Sequence, residues 1–240
     1  MTPSLPASID GLEFIMISSS ASAVDPLAPT RFLYRQEGKM IWGEYIGDTV
    51  TVGRFVGRMD GNQVRISFAH SLIAGGYAAG TAVSTLERRS DGLLYLVEEF
   101  EKDGQMHESL CVEAEPSGSW PNPRSTESTL DGRSFLLESS TASEVDPDGP
   151  TCFTYREYNG IVWGSYSGDT VTAGRFAGVL ERDLLRETFV HQETVTGATL
   201  LGSSETEIRR RIDGRLELVE EFALDGAPGR SICVESAGPF

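Results

Sequence analysis

Apolar and polar positions alternate in short bursts along this chain, and no stretch keeps the rhythm of a long amphipathic helix. In residues 94–100, Leu94, Leu96, Glu98 and Phe100 fall on one side, and Tyr95, Val97 and Glu99 on the other. This pattern predicts a strand, because successive strand side chains point to opposite faces. Over the first 114 residues it predicts eight strands, near 12–17, 31–36, 40–46, 49–57, 63–70, 79–89, 93–101 and 106–114, with Gly, Asp and Pro between them. The segment Ile46-Gly47-Asp48-Thr49 predicts a two-residue hairpin turn. That register sets Trp42 opposite Gly53 and Tyr45 opposite Val50, so that an indole covers the missing side chain of a glycine.

The same pattern then occurs again. Residues 10–70 align with 131–191 at a constant offset of 121, and the offset becomes 122 after one extra residue near 195–200. Trp42-Gly43-x-Tyr45-x-Gly47-Asp48-Thr49-Val50-Thr51 matches Trp163-Gly164-x-Tyr166-x-Gly168-Asp169-Thr170-Val171-Thr172. Leu96-Val97-Glu98-Glu99-Phe100 matches Leu218-Val219-Glu220-Glu221-Phe222, and Ser109-x-Cys111-Val112-Glu113 matches Ser231-x-Cys233-Val234-Glu235. A unit this long is a domain rather than a solenoid repeat. The expected organisation is a first repeat at 8–114, a Pro/Ser-rich linker at 115–129 with Trp120 as an anchor, and a second repeat at 130–236. Eight antiparallel strands hide their edges by closing on themselves. The predicted fold is therefore all-β: two tandem up-and-down barrels of calycin (lipocalin-like) type, with one larger sheet shared by both repeats as the alternative.

Composition narrows the partners. The chain has 240 residues, with 20 Lys plus Arg against 36 Asp plus Glu, a formal charge of −16. The excess is spread evenly, −7 in residues 1–120 and −9 in 121–240. Such a surface repels phosphate backbones and anionic lipid, so neither nucleic acid nor a membrane is an expected partner. The N-terminal MTPSLPASID lacks the basic-then-apolar pattern of a signal peptide, and three cysteines suit a reducing, cytoplasmic setting.

Faces within the strands nominate chemistry. The better-kept face of residues 94–100 sends Glu98 inward, as its copy sends Glu220. The face of Val64, Ile66, Phe68 and His70 is matched by Leu185, Glu187, Phe189 and His191. Glu98 with His70, and Glu220 with His191, are the candidate catalytic pairs: a desolvated carboxyl titrates high, an imidazole near neutrality, and together they can move a proton. Structural pairing of the same groups is the alternative. Candidate ligand-binding residues are Trp42, Tyr45, Arg54, Phe68 and Phe100, with Trp163, Tyr166, Arg175, Phe189 and Phe222 in the copy. Tyr34 and Tyr155 are further hydroxyls. Arg54 and Arg175 would neutralise a carboxylate if their face is interior, and are solvated if it is exterior.

The chain has no His-Glu-x-x-His, Cys-x-x-Cys, Walker loop or Gly-x-Ser-x-Gly. No metal site and no cofactor are expected. Glu44-Tyr45-x-Gly47, Gly53-x-Phe55-x-Gly57, Phe68-x-His70, Asp91-Gly92-x-Leu94-x-Leu96-x-Glu98-x-Phe100 and Ser109-x-x-x-Glu113 resemble the short bacterial proteins, about one repeat long, often labelled N-acetylglutamate synthase. Neither repeat carries the pyrophosphate-binding loop of an acetyltransferase. What the resemblance implies is a compact all-β barrel, here duplicated. The expected function is a cofactor-free cyclase or isomerase of bacterial secondary metabolism acting on a small organic molecule. The alternatives are a non-catalytic carrier for a small apolar ligand and a structural or interaction module. A homodimer is compatible with each.

Overall fold

The computed structural model describes residues 4–102, 104–118, 120, 121, 123 and 128–237. The chain divides into two compact units, Met1–Asn122 and Pro123–Phe240. Within the described residues every element is a strand. The first unit holds β1 (Glu13–Ser19), β2 (Arg31–Glu37), β3 (Met40–Ile46), β4 (Val50–Asp60), β5 (Gln63–Leu72), β6 (Tyr77–Arg88), β7 (Leu94–Lys102) and β8 (Gln105–Ala114). The second holds β9 (Ser134–Ser140), β10 (Cys152–Tyr158), β11 (Ile161–Ser167), β12 (Val171–Glu181), β13 (Leu184–Glu193), β14 (Thr199–Arg210), β15 (Leu216–Leu224) and β16 (Ala227–Glu235). Each set pairs in sequence order and closes, β1 on β8 and β9 on β16. The two-barrel fold is thus the one that the alternation predicts, and the single shared sheet is excluded because each barrel closes on itself.

Closure works because every strand has an apolar inner face. In the first barrel Phe14, Tyr34, Ile41, Tyr45, Phe55, Ile66, Leu86, Leu94 and Leu96 form one buried cluster. In the second, Phe135, Tyr155, Tyr166, Phe176, Leu185, Phe189, Leu216 and Leu218 do the same. Burial of such side chains, at roughly 25 cal/mol per Å² of apolar surface, is the main stabilising term.

The β3–β4 register differs from the expected one. Gly47 N–H donates to the Val50 carbonyl at 3.1 Å, and the connection is longer than two residues. Tyr45 therefore lies opposite Gly53, and Trp42 opposite Val56. The copy repeats this, with Tyr166 opposite Gly174 and Trp163 opposite Ala177. The aromatic that covers the glycine is the tyrosine: a Cβ on Gly53 would lie 2.4 Å from Tyr45 Cζ, and one on Gly174 2.3 Å from Tyr166 Cζ. The shift is by an odd number of residues, so it also reverses which β3 and β4 side chains share a face. Phe55 joins Ile41 and Tyr45 inside. Arg54 joins Trp42 and Glu44 outside.

The tight two-residue turns lie elsewhere. Asn159 (φ 48°) and Gly160 (φ 69°) join β10 to β11, and Asp225 (φ 46°) and Gly226 (φ 84°) join β15 to β16. Both central residues have positive φ, the geometry that suits the strand twist and that Asn-Gly and Asp-Gly adopt most readily. Trp120 is an anchor, as its place in the linker suggests. Its indole N–H donates to Glu13 Oε1 at 2.9 Å, beside Ser117 N–H on the same oxygen. The rest of the expected linker lies in part outside the described residues.

Candidate functional site

Strand alternation carries a recurrent set of polar groups into each barrel. In the first, Glu98 faces inward between Ser84 on β6 and Ser109 on β8. Ser109 Oγ donates to Glu98 Oε2 at 2.6 Å. The carboxyl sits deep in the barrel, and burial raises its pKa although the serine hydrogen bond opposes this. His70 takes a different partner: its Nδ1 is 2.7 Å from Tyr45 Oη. The imidazole lies edge-on to the Tyr45 ring and stacks on Phe68. The inner wall thus holds a glutamate hydrogen-bonded to a serine and a histidine hydrogen-bonded to a tyrosine.

The second barrel keeps both pairs and adds to them. Ser231 Oγ donates to Glu220 Oε2 at 2.6 Å, and Tyr166 Oη is 2.9 Å from His191 Nδ1. Burial pulls the His191 pKa down, partly offset by the charges of Glu193 and Asp225. The addition is Glu187 on β13, directly opposite Ser204 on β14. Their first-barrel equivalents are Ile66 and Ala82, also opposite one another. An apolar facing pair in one copy is therefore a polar facing pair in the other. Glu187 is only 9% exposed. Its Oε1 accepts a long hydrogen bond from Ser204 Oγ at 3.4 Å, while Oε2 is buried with no hydrogen-bond partner among the described residues. Burial pushes the Glu187 carboxyl well up, and the neighbouring Glu220 charge pushes it the same way. Burial also raises Glu220, against hydrogen bonds from Ser231 and Ser204 that favour its charged form. Two neighbouring carboxyls buried in this way disfavour both being charged at once.

These groups surround a cavity of about 200 Å³ in the second barrel. Tyr166, Phe153, Phe176, Phe189 and Phe222 give it aromatic walls, and Glu187, Glu193, Glu220, His191 and Ser231 its polar ones. No Lys or Arg among the described residues lines it. Of the residues expected from sequence, Tyr166, Phe189, His191, Glu220 and Phe222 meet here. Their first-barrel counterparts Tyr45, Phe68, His70, Glu98 and Phe100 face the first interior. Trp42, Trp163, Arg54 and Arg175 do not join them. Arg54 is buried on the outward face, donates to the Gly53 carbonyl at 2.8 Å and pairs with Glu44 at 3.1 Å. Arg175 donates to the Gly174 carbonyl. The odd register shift accounts for all four placements.

Glu187 and Ser204 are the residues that reasoning from one repeat overlooks. The signal for them lay between the copies: two facing positions, apolar in one and polar in the other. Cys111 and Cys233 point inward, and burial raises both thiols well up, so neither is a thiolate nucleophile.

Comparison with known proteins gives one family. No curated protein matches the chain. A solved protein of Bacteroides fragilis NCTC 9343, described as a candidate outer membrane protein, aligns over 95% of both chains at 9% identity. Its TM-score is 0.26, and the likeness carries no argument. The avidin-like protein family matches residues 7–114 and again residues 128–236. The tandem of small barrels inferred from the resemblance to the short bacterial proteins stands; their N-acetylglutamate synthase label gains no support. With eight closed strands in each matched segment, this chain belongs to the avidin-like protein family and carries its domain twice.

Proposed function

We propose that this protein binds a small organic molecule inside its second barrel. The observation that carries this is the cavity of about 200 Å³ with aromatic walls and a few convergent polar groups. Small ligand sites have this character, and eight-stranded barrels of this size hold one small ligand. An engineered apolar cavity of about 150 Å³ admits benzene, so the ligand or the part of it that enters is of that order. Membership of the avidin-like family supports the same reading.

Catalysis is the second reading, favoured by the two buried, neighbouring carboxyls of Glu187 and Glu220. A carboxyl kept protonated by burial can act as a general acid toward a ligand in the same cavity. The isomerisation or cyclisation expected from the sequence would use that pair, with His191 held by Tyr166 in a positioning role.

Native mass spectrometry of the gently purified full chain, after incubation with a metabolite extract, tests both. The expected result is the chain carrying one small molecule that is recovered chemically unchanged. A molecule recovered altered would move the conclusion to catalysis. A chain that never carries a ligand would remove both readings.

A further inference from the structure

We propose that the second barrel recognises a small organic cation, an ammonium or amidinium on an apolar body, with its head held between Glu187 and Glu220. This rests on the reading of that barrel as a ligand site and names the chemistry of the ligand. Three features of the cavity carry it.

The first is charge. Three acidic side chains line the cavity, Glu187, Glu193 and Glu220, and no Lys or Arg among the described residues does. An anionic ligand would meet repulsion in a region of low dielectric, where it is least screened. The second is an orphaned acceptor. Among the described residues Glu187 Oε2 is buried without a hydrogen-bond partner, and its Oε1 accepts the 3.4 Å hydrogen bond from Ser204. Burying a carboxylate oxygen unpaired costs more than a hydrogen bond returns, so such an atom is rare unless something else completes it. A head bearing several N–H donors fits an acceptor of this kind, and it would offset the burial and the neighbouring Glu220 charge that drive Glu187 up. The third is the comparison within the chain. The first barrel keeps the tyrosine–histidine and glutamate–serine pairs but has Ile66 and Ala82 where the second has Glu187 and Ser204. The change at both facing positions is confined to one copy, and it installs the extra carboxylate and a hydroxyl beside it. The remaining walls, Tyr166, Phe189 and Phe222, present rings that attract cations and pack an apolar body.

Three benzyl compounds that differ in the charge of the head, benzylamine, its isostere benzyl alcohol and the slightly larger phenylacetate, test this by calorimetric titration of the full chain at neutral pH. The expected order is benzylamine tightest, at least about tenfold over benzyl alcohol, as one charge-assisted hydrogen bond provides, with phenylacetate weakest. Glu187→Ile, which restores the first-barrel residue, should reduce the amine-over-alcohol preference to about threefold or less while benzyl alcohol still binds. Retained alcohol binding shows that the cavity has kept its shape. Glu220→Gln is the second variant and should reduce the preference as well. Equal binding of amine and alcohol, or tighter binding of phenylacetate, overturns the cation while leaving the ligand site intact. A preference unchanged in both variants places the amine elsewhere and overturns it too. If none of the three probes binds, the ligand site itself falls and the cation with it.

Discussion

A carboxyl on the inner wall of a barrel works against the fold whenever it is charged. Glu98 illustrates this in the simpler of the two barrels. Burial raises its pKa above the ordinary 4.5, and the single serine hydrogen bond only partly opposes the shift. In the unfolded chain the same group titrates at its ordinary value. The folded state therefore binds more protons between the two values, and stability falls as pH rises through that window. Below the unfolded value the contribution is fully present. Glu98→Gln keeps the shape and removes the titration. We expect it to raise the urea midpoint of the full chain at pH 7.5 and to leave it nearly unchanged near pH 4; a variant less stable than the parent at both values would show that the carboxylate is wanted in its charged form. The sequence located this residue correctly, because its neighbours Leu94, Leu96 and Phe100 fix its face by alternation alone. It did not locate the partner of His70, which comes from a facing strand and depends on register.

Strands are decided by alternation, and all eight strands expected in the first copy are present with ends within three residues of those expected. Turns are decided by local backbone chemistry, and there the reading of Gly47-Asp48 as a two-residue hairpin fails. Gly-Asp lacks the preference for two successive positive φ values that Asn159-Gly160 and Asp225-Gly226 satisfy. The longer turn shifts β3 against β4 by three residues and puts Trp42 and Arg54 on the same, outward face, where the expected register had set them on opposite faces. A further turn bears on stability. The β12–β13 hairpin has Arg182 at φ 59°, where the first barrel has Gly61 at φ 63°. A side chain in this left-handed region costs about 1–2 kcal/mol. Arg182→Gly should stabilise the chain by about 1 kcal/mol, after the greater unfolded entropy of glycine is allowed for. Urea denaturation would show it as a higher midpoint at unchanged slope, and an unchanged or lower midpoint would mean the arginine is relaxed there.

At the scale of the molecule, duplication lets the two copies differ at matched positions on the same scaffold. The second barrel has accepted Glu187 and Ser204 at positions where Ile66 and Ala82 pack apolar against apolar. Buried polar groups that lack partners typically cost about 1–3 kcal/mol. Reverting both, as Glu187→Ile with Ser204→Ala, should therefore stabilise the ligand-free chain by about that amount, measured by equilibrium denaturation. A double variant that is less stable would mean that the pair supports the fold instead of burdening it. Sites for ligands are where such costs are commonly retained.

The sequence by itself determined the duplication, the all-β class, the strand count and the inward faces of Glu98, Glu220, His70 and His191. All of these follow from periodicity, which each residue carries with its immediate neighbours. It left open which side Arg54 faces, and it missed Tyr45 over Gly53, the tyrosine partners of the histidines and the meeting of Glu187 with Glu220 across one cavity. Those depend on how strands slide past one another and on what the closed wall leaves empty. Sliding and closure are settled by hydrogen-bonded register and by packing across the barrel, interactions between residues far apart in the chain that no local pattern encodes.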